Sequence, residues 1–243
     1  MPSVYFPGLE TTQAGSLIRL EGEEFHHLAR VAKRRLNEAL LLNSGAGTLA
    51  TAVLESLEHR SALLKITQVD RQSEPRHPFA IAFALLRNRH DELLVEKCTE
   101  LGATAFFPLI TEHSVRQAAD NTIARFARIS LAAIKQCDNP WLPRIFAPAK
   151  VADALPVIRD AGFKPILCSE RQPQRWLHHL NGEEADRPCF LIGSEGGWSD
   201  AEFSLMEDIA EISLGELITR AETAAISVAA QWQAYANRLG AGV

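Results

Sequence analysis

The sequence predicts an α/β protein in two parts: a small N-terminal β-barrel, then an open, mostly parallel sheet covered by helices. Three observations carry this prediction. Residues 16–69 hold several short strand-like segments around one helical stretch. A polar segment with two prolines, residues 70–78, interrupts the pattern. From Phe79 onward, apolar strand runs alternate with helical stripes, and several end in glycine-rich loops. At 243 residues the chain is long enough to bury such cores without staples. With 47% hydrophobic and 23% charged residues it is neither disordered nor of low complexity.

In the first part, residues 16–20 and 39–43 read as strands, and residues 48–57 and 61–69 as a hairpin across Glu58-His59-Arg60. Between the first two, Phe25, Leu28, Ala29 and Ala32 recur at helical spacing over residues 23–33. In the second part, residues 79–85 form a continuous apolar run suited to a buried parallel strand. A helix over 91–101, a strand over 103–110 and a helix over 122–136 follow. Further strands are expected at 165–168, 188–192 and 209–214, with helices at 199–208 and from about 221 to 239. Ser199 and Glu202 have the spacing of a capping box for the first of these. The two domains are placed at 1–72 and 76–243.

The net charge of −5 argues against an indiscriminate nucleic-acid binder. All the excess acid lies after Pro78, because residues 1–78 hold nine Lys/Arg and nine Asp/Glu. Four of those nine cations, Arg30, Lys33, Arg34 and Arg35, fall within six residues. The four cysteines form no C-x-x-C pair and suggest neither a disulfide framework nor zinc; they are expected as small buried side chains in a reducing compartment. No signal peptide and no apolar run of about 18 residues is visible, so no membrane span and a cytoplasmic location are expected.

Two segments carry the chemical signal. In Phe190-Leu-Ile-Gly-Ser-Glu-Gly-Gly-Trp-Ser199 a buried strand ends in Gly193, Gly196 and Gly197, where a ligand can lie against main-chain groups. The segment has neither a dinucleotide fingerprint nor a P-loop, and Glu195 disfavours a polyphosphate. In Ile212-Ser-Leu-Gly-Glu-Leu-Ile-Thr-Arg-Ala-Glu-Thr-Ala224 a second strand ends in Gly215, and Arg220, Glu222 and Thr223 stand where the chain enters the last helix. Thr223 or Glu222 also suits a plain capping role. Glu96 to Ala103 reads as a helix end with a glycine C-cap, and so as scaffold. His26 and His27 point about 100° apart on a helix and do not make a metal site. His178-His179 reads as surface, and His113, after the strand ending near Ile110, is a secondary candidate for the site rim.

Together these segments resemble the RsmE family, methyltransferases of N3 of a uridine in 16S ribosomal RNA, within the knotted SPOUT class. The matches are ordered along nearly the whole chain: His27-Leu28-x-Arg30-Val31, Lys97-x-x-Glu100-Leu101-Gly102, Gln136 with Pro143, Ile192-Gly-Ser-Glu-Gly-Gly197, and Leu214-Gly215 with Arg220-Ala-Glu-Thr-Ala224. The resemblance implies a PUA-like RNA-binding barrel, a SPOUT domain with a deep trefoil knot, a homodimer, and 16S ribosomal RNA or the small subunit as partner. It implies S-adenosylmethionine as cofactor, no metal, and a cofactor site built from Leu167, Ile192, Gly193, Glu195, Gly196, Gly197, Leu214, Gly215, Ile218, Thr219 and Arg220. Arg220 is then the cation that stabilises charge developing on the uracil. Glu222 either orients Arg220 or accepts the proton. Arg30, Lys33 and Arg34 on the barrel and Arg87 on the catalytic domain are the expected phosphate contacts.

The chain departs from the family pattern at Ser194 (proline in the family), Leu217 (arginine), Thr219 (leucine), Lys135 (glutamate) and Asn139 (arginine). The alternative reading is therefore a catalytically weakened paralogue that binds RNA or assists ribosome assembly. An unrelated α/β enzyme with a nucleotide-like cofactor is the remaining one.

Overall fold

The computed structural model describes residues 2–28, 36–114, 119–169, 175–180 and 182–241. The chain divides into two compact units. One holds the residues up to Glu74 together with Leu131–Leu142; the other holds Pro75–Ser130 and everything from Pro143 onward.

The first unit is a five-stranded sheet in the order β1-β3-β4-β5-β2. Its strands are β1 (Val4–Tyr5), β2 (Leu17–Glu21), β3 (Ala39–Asn43), β4 (Thr48–Leu57) and β5 (Ser61–Arg71), with helix α1 (Gly22–His26) after β2. Only the β1–β3 pairing is parallel. Along β4 burial alternates, with Ala50, Ala52 and Leu54 inward, as the two-residue period of a half-buried strand requires. These residues meet Leu42, Leu64, Ile66, Phe25 and Leu28 in one core. Strand β5 continues two residues past its expected end, and β1 was too short to show a period. The basic run Arg30, Lys33, Arg34 and Arg35 lies outside the described residues.

Gly47 is fixed by its surroundings. It has φ +89°, its N–H donates to Pro140 O at 2.8 Å, and a Cβ there would stand well inside contact distance of the Trp141 indole. Gly47→Ala combines left-handed strain with overpacking, and we expect it to cost about 2 kcal/mol or more. Urea denaturation checks this; an unchanged midpoint would contradict the packing.

The second unit is a parallel sheet in the order β12-β10-β11-β6-β7-β8, with β9 also paired to β7. The strands are β6 (Ala80–Ala84), β7 (Ala105–Ile110), β8 (Arg144–Ile145), β9 (Ala149–Lys150), β10 (Lys164–Cys168), β11 (Pro188–Ile192) and β12 (Ala210–Ile212). The helices are α2 (His90–Glu100), α3 (Thr122–Cys137), α4 (Val151–Asp160), α5 (Asp200–Ser204) and α6 (Ala221–Ala241). Both faces of the sheet are covered, which explains its uninterrupted apolar strands. Ile81, Phe83, Phe190 and Ile192 pack with Leu94, Phe126, Val228 and Trp232. The alternate residues Ala80, Ala82, Cys189 and Leu191 pack with Leu155, Ile158, Trp198 and Met206.

Two helices and the cysteines differ from expectation, and the two-residue strands β1, β8 and β9 were not expected. Helix α4 was not expected, because Pro156 lies within it and removes a backbone donor. Its buried stripe of Val151, Ala154, Leu155 and Ile158 holds it against the sheet. The helix expected over 199–208 ends at Ser204, since the chain then tightens into bonds between residues three apart, Met206 N–H to Phe203 O and Ile209 N–H to Met206 O. The cysteines also divide: Cys98 and Cys189 are buried, Cys168 is half-buried, and Cys137 is exposed, contrary to expectation. Among the described residues, no helix is long and apolar enough to cross a membrane, and no group of His, Cys, Asp or Glu is placed to hold a metal.

Candidate active site

Strands β12, β10 and β11 are neighbours, so the loops at their carboxyl ends share one rim. In an open parallel sheet this is where ligands bind. A cavity of about 520 Å³ lies there, lined by Cys168 and Ser169 after β10, residues 192–198 after β11, and residues 213–215 and 217–221 after β12. That volume falls in the range of small-molecule sites.

The first loop is a locked turn. Gly197 N–H donates to Ser194 O at 2.9 Å, and the Ser194 hydroxyl donates back to Gly197 O at 3.2 Å. Gly197 takes φ +73°, which favours glycine. A Cβ at Gly193 would come to 3.1 Å from the Trp198 indole, and one at Gly196 to 2.9 Å from His113 Cβ. The turn ends in the expected capping box: Ser199 Oγ accepts from Glu202 N–H, and Glu202 Oε2 accepts from Ser199 N–H at 2.9 Å. The other carboxylate oxygen of Glu202 accepts from Glu112 N–H at 3.0 Å, tying the loop after β7 to the glycine loop. Glu195 is exposed, and its Oε1 accepts from Arg87 N–H at 3.4 Å.

The second loop is held from behind. Ser213 Oγ donates to Gly215 O at 2.9 Å, and Gln231 Nε2 on α6 donates to Leu214 O at 3.1 Å. A Cβ at Gly215 or Gly197 would meet no protein atom within 4 Å, so both glycines leave open space. Beyond Gly215, Leu217 and Ile218 are 83% and 84% exposed at the cavity mouth. Arg220 is exposed, and its carbonyl accepts from Ala224 N–H at 2.8 Å, starting α6. Among the described residues its guanidinium has no carboxylate partner.

The structure thus brings Ile192, Gly193, Glu195, Gly196, Gly197, Leu214, Gly215, Ile218, Thr219 and Arg220 around one cavity. Leu167 is not among the lining residues. The period of β10 turns it into the core with Leu155 and Trp198, while Cys168 faces the cavity. Burial pushes the Cys168 thiol above its usual value, so it stays protonated. Glu222 does not pair with Arg220: it is buried, and its Oε1 lies 3.1 Å from His90 Nδ1. Arg87 is exposed at the carboxyl end of β6, next in the sheet to β11.

Two departures from the family pattern have structural roles in the first unit. Lys135 Nζ pairs with Glu24 Oε1 at 2.6 Å, both side chains less than one-fifth exposed. The Asn139 side chain accepts from Trp141 N–H at 3.0 Å, and its carbonyl accepts from Asn43 Nδ2 at 2.8 Å. Ser194 replaces a rigid proline with a hydroxyl that closes the same turn.

The sequence profile of the RNA methyltransferase domain matches residues 72–233, two thirds of the chain, and that of the RNA methyltransferase PUA domain matches residues 20–67. The chain belongs to the RsmE family of RNA methyltransferases. The ribosomal RNA small subunit methyltransferase E of Synechocystis is 32% identical over 88% of this chain and 72% of its own length. That of Bacillus subtilis is 25% identical over 84% and 85%. Among solved structures, the Neisseria gonorrhoeae family member bound to S-adenosylmethionine superposes with a TM-score of 0.86 at 26% identity, over 97% of this chain and 98% of that one. A Legionella pneumophila methyltransferase in complex with the same cofactor gives 0.80 at 27% identity, over 96% and 97%. The family assignment accounts for the PUA-type first unit and the methyltransferase fold of the second.

Sequence reasoning missed His90 and gave His113 only a secondary place. Both follow carboxyl ends of strands, at β6 and β7, and that position was the available signal. What the sequence does not display is that β6 lies beside β11, so that these ends join the same rim.

Proposed function

We propose that this protein transfers a methyl group from S-adenosylmethionine to N3 of a uridine in the 16S ribosomal RNA of the small subunit. One observation carries the reading: two glycine-ended loops, on the strands that flank β10, enclose a single cavity with Arg220 at its rim. The residues fit the cofactor. Open space at Gly197 and Gly215 lets a ligand lie against neutral main chain, and a protonated Cys168 adds no charge. When bound, S-adenosylmethionine supplies a methyl group made electrophilic by its sulfonium.

The chain's own residues do the rest. The backbone of both loops fixes the donor, which supplies much of the rate through positioning. Arg220, free of an internal anion among the described residues, stabilises the charge that develops on the uracil. The buried Glu222 pairs with the half-buried His90 at the start of α6 and holds the Arg220 turn in place. Arg87, and Arg30, Lys33 and Arg34 of the first unit, grip phosphates. The uridine leaves its stack to enter the site.

The reading includes a homodimer, action in the cytoplasm, a division of labour between an RNA-gripping domain (1–72) and a catalytic one (76–243), and a trefoil knot. The insertion of β11 between β6 and β10 supports the knot. Calorimetric titration with S-adenosylmethionine tests the cofactor assignment. Saturable binding is expected, and no binding by the folded protein would overturn it.

A further inference from the structure

We propose that His113 is the general base that takes the N3 proton, an inference that rests on the function proposed above. Its Nδ1 lies 3.0 Å from Gly196 O. A carbonyl oxygen only accepts, so Nδ1 carries the hydrogen, and in the neutral ring Nε2 is the nitrogen with the free lone pair. The ring is exposed, beside a glycine that lines the cavity.

The contact is built from both sides. Any side chain at Gly196 would collide with His113 Cβ. The residue before His113 is tied by its N–H to Glu202, whose other oxygen caps the segment following the glycine loop. The turn itself is closed by Ser114 N–H to Thr111 O at 3.1 Å and by the Thr111 and Ser114 hydroxyls at 2.7 Å. His113 is therefore held against the glycine loop at two points, which a solvated surface histidine does not need.

The other titratable groups nearby suit the task less well. Among the described residues, the carboxylates on the segments that meet at the ring are Glu112, Glu195 and Glu202. Both Glu202 oxygens are occupied, and Glu195 Oε1 takes the Arg87 N–H. A carboxylate is also a weaker base than imidazole for a uracil N–H. Cys168 stays protonated, and Glu222 faces His90.

The step balances. The N3–H bond breaks and the proton passes to Nε2. The electron pair left on N3 forms the new N–C bond to the methyl group of the sulfonium donor. The S–C bond breaks with its pair to sulfur, leaving a neutral thioether. The imidazolium keeps its Nδ1–H bond to Gly196 O and releases the gained proton to solvent.

Three measurements on the full chain test this: nitrogen-15 NMR of the histidine rings, calorimetry with S-adenosylmethionine, and single-turnover methylation of small subunits across pH. His113→Gln and His113→Ala are expected to bind the cofactor within about two-fold of the unsubstituted protein and to melt alike. They are expected to lose about 10²–10³-fold in rate at neutral pH and to recover part of it at high pH, where uracil ionises unaided. The His113 ring, identified by its disappearance in His113→Gln, should be the Nδ1–H tautomer. An Nε2–H tautomer, or variants with the unsubstituted rate and pH profile beside an active protein, overturns the assignment of His113 alone. No transfer by the unsubstituted protein overturns the function on which it rests.

Discussion

Arg220→Ala is expected to slow methyl transfer to small ribosomal subunits by about 10²–10³-fold while leaving S-adenosylmethionine affinity within a few-fold. The guanidinium is exposed at the cavity mouth, and among the described residues no carboxylate neutralises it. Its charge is therefore available to a substrate. The structural duty of the residue is carried by its backbone, whose carbonyl accepts the first hydrogen bond of α6. Alanine keeps that bond, so the loss should be kinetic rather than structural. Single-turnover rates on the purified variant check this; a rate within two-fold of the unsubstituted protein would remove Arg220 from the chemistry.

Gly196→Val is expected to weaken S-adenosylmethionine binding by at least about ten-fold and to abolish transfer at ordinary cofactor concentrations. A Cβ at this position would stand 2.9 Å from His113 Cβ, an atom that cannot rotate away because it is attached directly to main chain. The His113 loop is itself anchored through Glu202, so the glycine loop must be the part that moves, and its main chain forms the cavity wall. The cause is crowding, since Gly196 does not take a positive φ. Gly197 is the opposite case, strained by substitution at φ +73° but with open space around its Cβ. Calorimetry checks the prediction; unaltered affinity in a variant that melts normally would contradict the loop's role.

The periodic elements of this fold were legible because local pattern and tertiary burial agree. Strands β3, β4 and β11 begin and end where apolar runs meet turn residues. Helix α4 was hidden because Pro156 lies inside it, and packing of its continuous buried stripe outweighs that local penalty. The site was legible as two glycine-ended loops, since glycine marks places where the backbone must bend or be approached. Their meeting was not, because the adjacency of β12, β10 and β11 is fixed by strand pairing between distant segments. Leu167, placed in the cofactor site by the resemblance, packs in the core, and its neighbour Cys168 is the one that faces the cavity. Lys135 and Asn139 stood out as departures from the family pattern, and both side chains are joints within the first unit. Ser194, Leu217 and Thr219 are the departures that line the cavity, with Leu217 83% exposed at its mouth.

The most direct test of the whole account is incubation of the purified protein with methyl-labelled S-adenosylmethionine and unmodified small ribosomal subunits, followed by nucleoside analysis of the RNA. The account predicts label in 16S ribosomal RNA, recovered as 3-methyluridine. Subunits that bind the protein but take up no label, or label recovered in another nucleoside, would contradict it.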